Sequence, residues 1–257
     1  TFTQVNSPSE IAPPLYGYVK QQHPAIKTAV ILNPNDATGK ETEVVSRKVW
    51  ESLGVKVLSS DWYERGTTEF QPIAAKMAGF KPDVIDLGTA PPGDSSVILK
   101  EMHVLGWKGQ KVITAGTSAE ALVKVSPEAA EGTYLGVSAD FEGAQATPVQ
   151  RKLNLGMKSA VGEAMNVLHV GAYDAVMALK AGMEAANSIE PAAIAAVLPK
   201  IIFETSYGKT AFGGKATYGS PQQILVPVMV TQIRSGKLVE VERIVPDELK
   251  QRLAAQK

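Results

Sequence analysis

The chain has 257 residues, enough for one large core or two ordinary domains. Lysine plus arginine and aspartate plus glutamate each number 26, so the formal net charge is zero and the composition disfavours nucleic acid or an anionic membrane surface as a partner. The sequence contains no cysteine, which excludes disulfides, thiol catalysis and thiolate metal sites.

From residue 27 onwards, short apolar runs alternate with amphipathic stretches, a pattern typical of parallel strands joined by crossover helices. TAVILN (28–33) and VKVLSSDWY (55–63) are the first two predicted strands, and Gly54 can end the helix between them. Later strands of the series are expected in DVIDLG (83–88), KVITAG (111–116) and YLGVSA (134–139). The sequence therefore predicts an α/β fold, with a parallel sheet flanked by helices.

The character of the sequence changes after Asp140. A long helix is expected from about Met165 to Asn187, and a shorter helix is expected over 191–198. An apolar segment, a Ser-Gly-Lys turn and the strand-like KLVEVERIV (237–245) indicate a β-hairpin near the end, followed by a charged tail helix. No run approaches the roughly 20 apolar residues that a membrane-spanning helix needs.

The segment ILNPNDATGKE (31–41) suggests a phosphate-binding loop, because a Gly-Lys pair opens a predicted helix. A Walker A motif needs glycine five positions before that pair and serine or threonine directly after it. Pro34 and Glu41 occupy those positions. Proline lacks the amide that would face a phosphate, and a carboxylate replaces the magnesium-binding hydroxyl, so nucleotide binding is not expected here.

Two serines, Ser95 and Ser118, follow predicted strands at positions where a hydrolase nucleophile could lie. No acid-base partner can be named for either, and Asp94 with Ser95 is better explained as a helix N-cap. The three histidines are scattered singly, without the spacing of a metal site. We therefore expect no catalytic residue, no metal and no cofactor.

The loops at the carboxyl ends of the predicted parallel strands are the best candidates for a site. They cover residues 33–38, 88–94 and 116–118. Ligands of open α/β sheets bind at this edge. Because the loops offer hydroxyls, amides and glycine backbone but no acid-base pair, they favour binding over catalysis.

Four segments resemble the type I periplasmic solute-binding proteins of the branched-chain amino acid ABC transporter class, and they occur in that family's order. They are ERGTTEFQPIAAKMAGFKPDVIDLG (64–88), AAEGTYLGVSADF (129–141), AYDAVMALKAGMEAA (172–186) and VMVTQIRSGKLVEV (228–241). Glu69 stands where the family usually has aspartate. Together the four segments extend over most of the chain.

The resemblance implies the solute-binding subunit of an ABC importer, which captures an amino acid or a related small carboxylated organic molecule between two hinged lobes. A membrane permease would be its partner and the periplasm its location, although no signal peptide is visible in TFTQVNSPSE (1–10). The alternative is a ligand-sensing domain of a regulator or receptor with the same fold. An α/β hydrolase based on the two serines is the less favoured third possibility.

The resemblance also implies a domain organisation. Residues 1–139 plus 223–257 would form lobe two, including the hinge and the C-terminal hairpin. Residues 140–222 would be the remainder of lobe one and mostly helical. The N-terminal part of lobe one is expected to be absent from this sequence.

The expected ligand-binding residues come from the strand-end loops and from the family motifs. Thr38 occupies the place before glycine where the family often has an aromatic residue, so a stacking contact is not assumed there. His169 and Tyr173 enter the helix of the Tyr-Asp-Ala motif. The full expected set is Asn33, Asn35, Thr38, Thr89, Ala90, Thr117, His169 and Tyr173.

Overall fold

The computed structural model describes residues 1–116, 118–162 and 164–255, and these divide into two compact units. The large-sheet unit comprises Ser7–Ala139 and Met229–Glu242. The small-sheet unit comprises Thr1–Asn6, Asp140–Val228 and Arg243–Lys257. Among the described residues, no helix is both long enough and apolar enough to cross a bilayer.

The strands largely follow the apolar runs of the sequence. They are β1 Thr28–Pro34, β2 Lys56–Tyr63, β3 Val84–Asp86, β4 Gln110–Ile113, β5 Tyr134–Leu135, β6 Ile202–Thr205, β7 Gly208–Gly213, β8 Gln223–Ile224, β9 Val228–Arg234 and β10 Lys237–Ile244. The five strands predicted before residue 140 are confirmed, although β3, β4 and β5 are shorter than their apolar segments.

The helices alternate with strands in the first half of the chain and cluster in the second half. They are α1 Pro8–Gln22, α2 Ala37–Ser52, α3 Gln71–Gly79, α4 Pro92–Val104, α5 Ala119–Val125, α6 Pro127–Ala130, α7 Pro148–Val161, α8 Val167–Ala186, α9 Pro191–Val197, α10 Lys215–Tyr218 and α11 Asp247–Ala254. A short 3-10 helix, Leu198–Lys200, follows α9.

The sheet of the large-sheet unit has the strand order β10-β9-β5-β4-β3-β1-β2. The pairs from β1 to β5 are parallel, and β9 is antiparallel to β5. A buried apolar cluster that includes Val30, Ile85, Ile113 and Met102 joins the strands to the helices. The predicted α/β fold with a mainly parallel sheet flanked by helices is therefore confirmed.

The predicted hairpin near the end of the chain is formed by β9 and β10. Its two-residue turn consists of Ser235 and Gly236, whose φ angles are 51° and 70°. Two positive φ angles are typical of a type I′ turn, the two-residue turn that matches the twist of the flanking strands.

The small-sheet unit has an antiparallel sheet in the order β6-β7-β8. The β6–β7 hairpin was not predicted from the sequence. The apolar residues Phe203, Phe212 and Ile224 of this sheet pack with Ala178 and Ile194 of the adjoining helices. The tail helix α11 is charged as expected, yet its Leu249 is buried in a second cluster with Ala211 and Leu225.

Candidate functional site

The strand order places a topological switch point between β1 and β3. The chain adds β2 on one side of β1 and then β3, β4 and β5 successively on the other side. The crossover helices therefore leave β1 and β3 in opposite directions, which opens a crevice at the carboxyl ends of these strands. Those ends are Pro34 and Asp86.

Asn33 and Thr89 meet at this switch point. The Thr89 amide donates a hydrogen bond to Oδ1 of Asn33 (3.0 Å), and the Thr89 hydroxyl approaches the same oxygen (3.3 Å). Asn33 is fully buried, whereas Thr89 is half-buried. Nδ2 of Asn33 has no hydrogen-bond partner among the described residues. Of this expected pair, only Thr89 is open to solvent.

The turn after β3 uses each of its amides within the protein. The Leu87 amide donates to the Val112 carbonyl, and the Ala90 amide donates to the Leu87 carbonyl. The Gly88 amide donates to Oδ1 of Asp86 (2.9 Å), and the Thr89 amide is held by Asn33 as described. The Thr89 side chain is therefore the polar group that this turn can offer to a ligand.

Gly88 is needed in this turn for two reasons. Its φ angle of +48° lies in the left-handed region, and a Cβ atom there would lie 2.0 Å from Oδ1 of Asn33. The side chain of Asn33 thus fills the space that any larger residue at position 88 would need.

Asp86 is the centre of a buried polar network below the turn. Its carboxylate accepts hydrogen bonds from the Tyr16 hydroxyl, from Nε1 of Trp50 (3.1 Å) and from the Thr114 hydroxyl (3.3 Å), in addition to the Gly88 amide. The Tyr16 and Trp50 rings stack with their centroids 4.2 Å apart. Four donors match the acceptor capacity of one carboxylate, so the group is fully satisfied without water.

Burial sets the protonation behaviour of this network. It raises the pKa of the Asp86 carboxyl, although the bonds from Tyr16 and from the Gly88 amide act in the opposite direction. Burial and the neighbouring Asp86 also raise the pKa of Tyr16 well above its usual range. Tyr16 is therefore a permanent hydrogen-bond donor, and its hydroxyl further contacts Ser46 (2.5 Å) and Thr114 (2.6 Å).

The loop after β1 is polar and mostly exposed. Asp36 caps α2 by accepting from the Gly39 amide (2.7 Å), and it also pairs with Arg65. The Gly39 amide, with Arg65 as a further contributor, lowers the pKa of the Asp36 carboxyl. Asn35 donates to Glu64 (2.6 Å), and Thr38 lies exposed in the first turn of α2. Asp36 and Asn35 of this loop are thus both engaged by residues of the segment that follows β2.

Ala90 is packed inside the protein, and the two candidate serines each form a hydrogen bond to the backbone of their own segment. Ala90 is buried, and its carbonyl accepts from the Ser95 hydroxyl (3.0 Å). The predicted N-cap at Asp94 and Ser95 is wrong, because α4 begins at Pro92 and Asp94 accepts from the Tyr63 hydroxyl instead (2.8 Å). Ser118 caps α5 through the Ala121 amide (3.2 Å).

The remaining expected site residues lie elsewhere. Thr117 lies outside the described residues, and its expected role stays a prediction. His169 and Tyr173 lie in the first two turns of α8, in the small-sheet unit. His169 is exposed and accepts from the Asn166 amide through Nδ1 (3.2 Å) as part of a capping box, and Tyr173 is half-buried.

Asp174, next to Tyr173, is a buried carboxylate that the sequence analysis did not single out. It accepts from the amide (2.6 Å) and the hydroxyl (2.9 Å) of Ser206, in the turn between β6 and β7. Burial raises its pKa to about 6, against the effect of these two bonds. The Thr147 hydroxyl donates to the Ser206 carbonyl (2.7 Å), so the turn is held from two helical segments.

A mainly parallel sheet flanked by helices, with this strand order, is the type I periplasmic-binding-protein fold. The sequence profile of the family described as periplasmic binding protein matches residues 1–237. The chain belongs to this family, which is one of solute-binding proteins and not of enzymes.

Several known proteins are similar to this chain. The leucine-, isoleucine-, valine-, threonine- and alanine-binding protein of Pseudomonas aeruginosa is 22% identical over 189 residues, 74% of this chain and 50% of that protein. A leucine-binding protein structure from Thermotoga maritima superposes with a TM-score of 0.78 at 19% identity, covering 94% of this chain and 67% of that one. An R. palustris ABC transporter solute-binding protein, solved in complex with benzoate, gives a TM-score of 0.76 at 18% identity, covering 95% and 65%.

The two structures share the fold at low identity. The match of the family profile confirms, at the level of the family, the resemblance inferred from the four sequence segments. The chain spans about half the length of the curated relatives it matches.

Proposed function

We propose that this chain belongs to the solute-binding subunit of an ABC importer, which binds an amino acid or a related small carboxylated organic molecule. The observation that carries the proposal is the half-buried Thr89 hydroxyl, held by Asn33 at the switch point of the sheet. Family membership and the partial matches to binding proteins for branched-chain amino acids and benzoate support it.

A carboxylated ligand suits the carboxyl edge of the large sheet. The helices α2 and α4 both begin there, directly after the loops that follow β1 and β3. The positive end of the α4 dipole favours an anionic group, whereas the Asp36 carboxylate already occupies that end of α2. The carboxylates described near β1 and β2 are already engaged, Asp36 by Arg65 and Glu64 by Asn35. This pairing supports recognition through neutral hydroxyl and amide groups.

We further propose that Asn35, Thr38 and Thr89 of the large-sheet unit line the ligand site and that Thr117 contributes to it, whereas the buried Ala90 supports the turn behind Thr89. The expected roles of His169 and Tyr173, in the small-sheet unit, stay separate predictions. The site is proposed to work by closure of a two-lobed protein around its ligand. Residues 7–139 with 229–242 are proposed to belong to lobe two, and residues 140–222 to lobe one. The expected assignment of residues 1–6, 223–228 and 243–257 to lobe two is not proposed, because these residues belong to the small-sheet unit. Catalysis is not part of the proposal. The Ser95 hydroxyl donates to the Ala90 carbonyl, and the Ser118 hydroxyl caps α5, so both serines have structural partners.

A membrane permease is the proposed partner, and the periplasm is the proposed location. Membership of the periplasmic binding protein family supports both proposals, and the R. palustris protein, itself from an ABC transporter, agrees with the first.

A ligand panel tests the proposal. Branched-chain amino acids, other amino acids, benzoate and short organic acids would each be added to the complete protein while its melting temperature is followed. A true ligand at 100 times its dissociation constant stabilises the folded state by about 2.7 kcal/mol, so a clear upward shift is expected for at least one compound. A panel without any shift would contradict the proposed function.

A further inference from the structure

The turn that carries Thr89 is held by two buried side chains, which come from two different strands. Asp86 at the end of β3 accepts from the Gly88 amide (2.9 Å), and Asn33 near the end of β1 accepts from the Thr89 amide (3.0 Å). Both side chains are fully buried. Neither is therefore placed to touch a ligand directly in this conformation, although both determine where Thr89 lies.

The anchoring of Asp86 extends well beyond the turn. Tyr16 of α1, Trp50 of α2 and Thr114 after β4 all donate to its carboxylate. A carboxylate with fixed donors on both oxygens cannot rotate without breaking hydrogen bonds in a water-free environment, where such losses are costly. The oxygen that faces the Gly88 amide is consequently held in one position.

Asn33 has a second feature that suits a positioning role. Its Oδ1 atom accepts hydrogen bonds from both the amide and the hydroxyl of Thr89. The same atom occupies the space in which a Cβ of residue 88 would lie. The asparagine thus fixes the backbone of the turn and the orientation of the Thr89 side chain together.

We propose that Asp86 and Asn33 are positioning residues of the ligand site, which fix the Gly88–Thr89 turn so that the Thr89 hydroxyl is preorganised for the ligand. This inference rests on the proposed function. Preorganisation raises affinity because a held group loses little freedom on binding. Removing the acceptor of either turn amide is therefore expected to weaken ligand binding. The effect should be larger than that of another substitution that costs the same free energy of unfolding.

The test compares ligand affinity with stability in matched variants, using a compound that binds the unmodified protein. Asp86→Ala and Asn33→Ala each remove the acceptor of one turn amide. Tyr16→Phe is the control: it removes one donor of the buried network, but Nε1 of Trp50 still donates to the same oxygen of Asp86, and both turn bonds stay in place. Asp86→Asn is the conservative variant, since its amide oxygen can still accept from Gly88.

Isothermal titration calorimetry is expected to show an increase in Kd of about tenfold or more for Asp86→Ala and Asn33→Ala. Tyr16→Phe and Asp86→Asn should stay within about threefold of the unmodified protein, even though urea unfolding shows that each has lost stability. If Asp86→Ala does not fold, Asn33→Ala provides the measurement, because the Asp86 network is intact in that variant.

A double-mutant cycle separates positioning from direct contact. If Asn33 acts through Thr89, Asn33→Ala has a smaller effect on Kd when Thr89→Ala is already present. The inference is overturned if the two alanine variants and Tyr16→Phe change Kd alike, or if the Asn33 and Thr89 effects are additive. Failure of the proposed function is a distinct result, since no compound would then bind the unmodified protein.

Discussion

At the residue scale, Asp174 shows how burial and hydrogen bonding compete at one carboxyl group. Both oxygens accept from Ser206, yet burial still raises its pKa to about 6. The unfolded chain has the ordinary aspartate pKa of about 3.9. Between these two values the folded protein binds more protons than the unfolded protein, so stability falls as the pH rises through this window.

Asp174→Asn is expected to remove this dependence. The amide oxygen can accept from the Ser206 amide, and the amide nitrogen can donate to the Ser206 hydroxyl, so both connections to the turn remain. Relative to the variant, the unmodified protein should lose about 2 kcal/mol of unfolding free energy between pH 4 and pH 7. Urea titrations of both proteins across this range measure the difference, and a difference that does not change with pH would contradict the assignment.

At the element scale, α8 depends on one close contact. Its buried face contains Val170, Asp174, Ala178 and Gly182, at a spacing of four residues. A Cβ at Gly182 would lie 2.9 Å from Cγ2 of Ile194 and 3.0 Å from Cδ2 of Leu198. The absence of a side chain at position 182 therefore sets how closely α9 and the following 3-10 helix approach α8.

Gly182→Ala and Gly156→Ala form a matched pair within the small-sheet unit. Gly156 lies exposed in α7, and a Cβ there would meet nothing within 4 Å. Alanine at position 156 should stabilise the protein by about 1 kcal/mol, because glycine is the poorer helix former. At position 182 overpacking costs about 1–3 kcal/mol and outweighs that gain. Urea unfolding should therefore rank Gly156→Ala above Gly182→Ala; the reverse order would show that Ile194 and Leu198 move aside freely.

The elements also show what the sequence could and could not predict. Strands β1 to β5 were predicted because each contains an apolar run bounded by turn residues. The β6–β7 hairpin was missed because GKTAFG has two glycines and a lysine, so that its strand character comes from pairing with IFET rather than from its own residues. The start of α4 was predicted at Asp94 and Ser95, because aspartate and serine are common N-cap residues. The helix begins at Pro92 instead, and the Asp94 side chain accepts from the Tyr63 hydroxyl.

The candidate site, too, could be predicted from the sequence only in part. That Asn33 and Thr89 lie close together could be predicted, because the carboxyl ends of parallel strands meet at the same edge of a sheet. Their expected contact with a ligand stays a prediction. The partners of Asp86 could not be predicted, since Trp50 is 36 positions away and Tyr16 is 70 positions away in sequence. An aspartate within the apolar segment DVIDLG was the available signal, because a buried carboxylate requires donors.

At the scale of the whole molecule, we propose that ligand recognition takes place at the carboxyl edge of the large sheet. The strand order β2-β1-β3-β4-β5 creates the crevice there, and two buried side chains fix the turn that offers Thr89. The groups described at this edge include the Thr89 hydroxyl and the ion pair of Asp36 with Arg65. Such a surface is suited to binding a small molecule reversibly.

A crystal structure of the complete protein with a compound selected by the ligand panel tests the central claim most directly. The account predicts electron density for the compound with one of its polar atoms within about 3.5 Å of the Thr89 hydroxyl oxygen, in a turn that keeps its bonds to Asn33 and Asp86. A bound compound that makes no contact with the loops after β1 and β3 would contradict the proposed position of the ligand site.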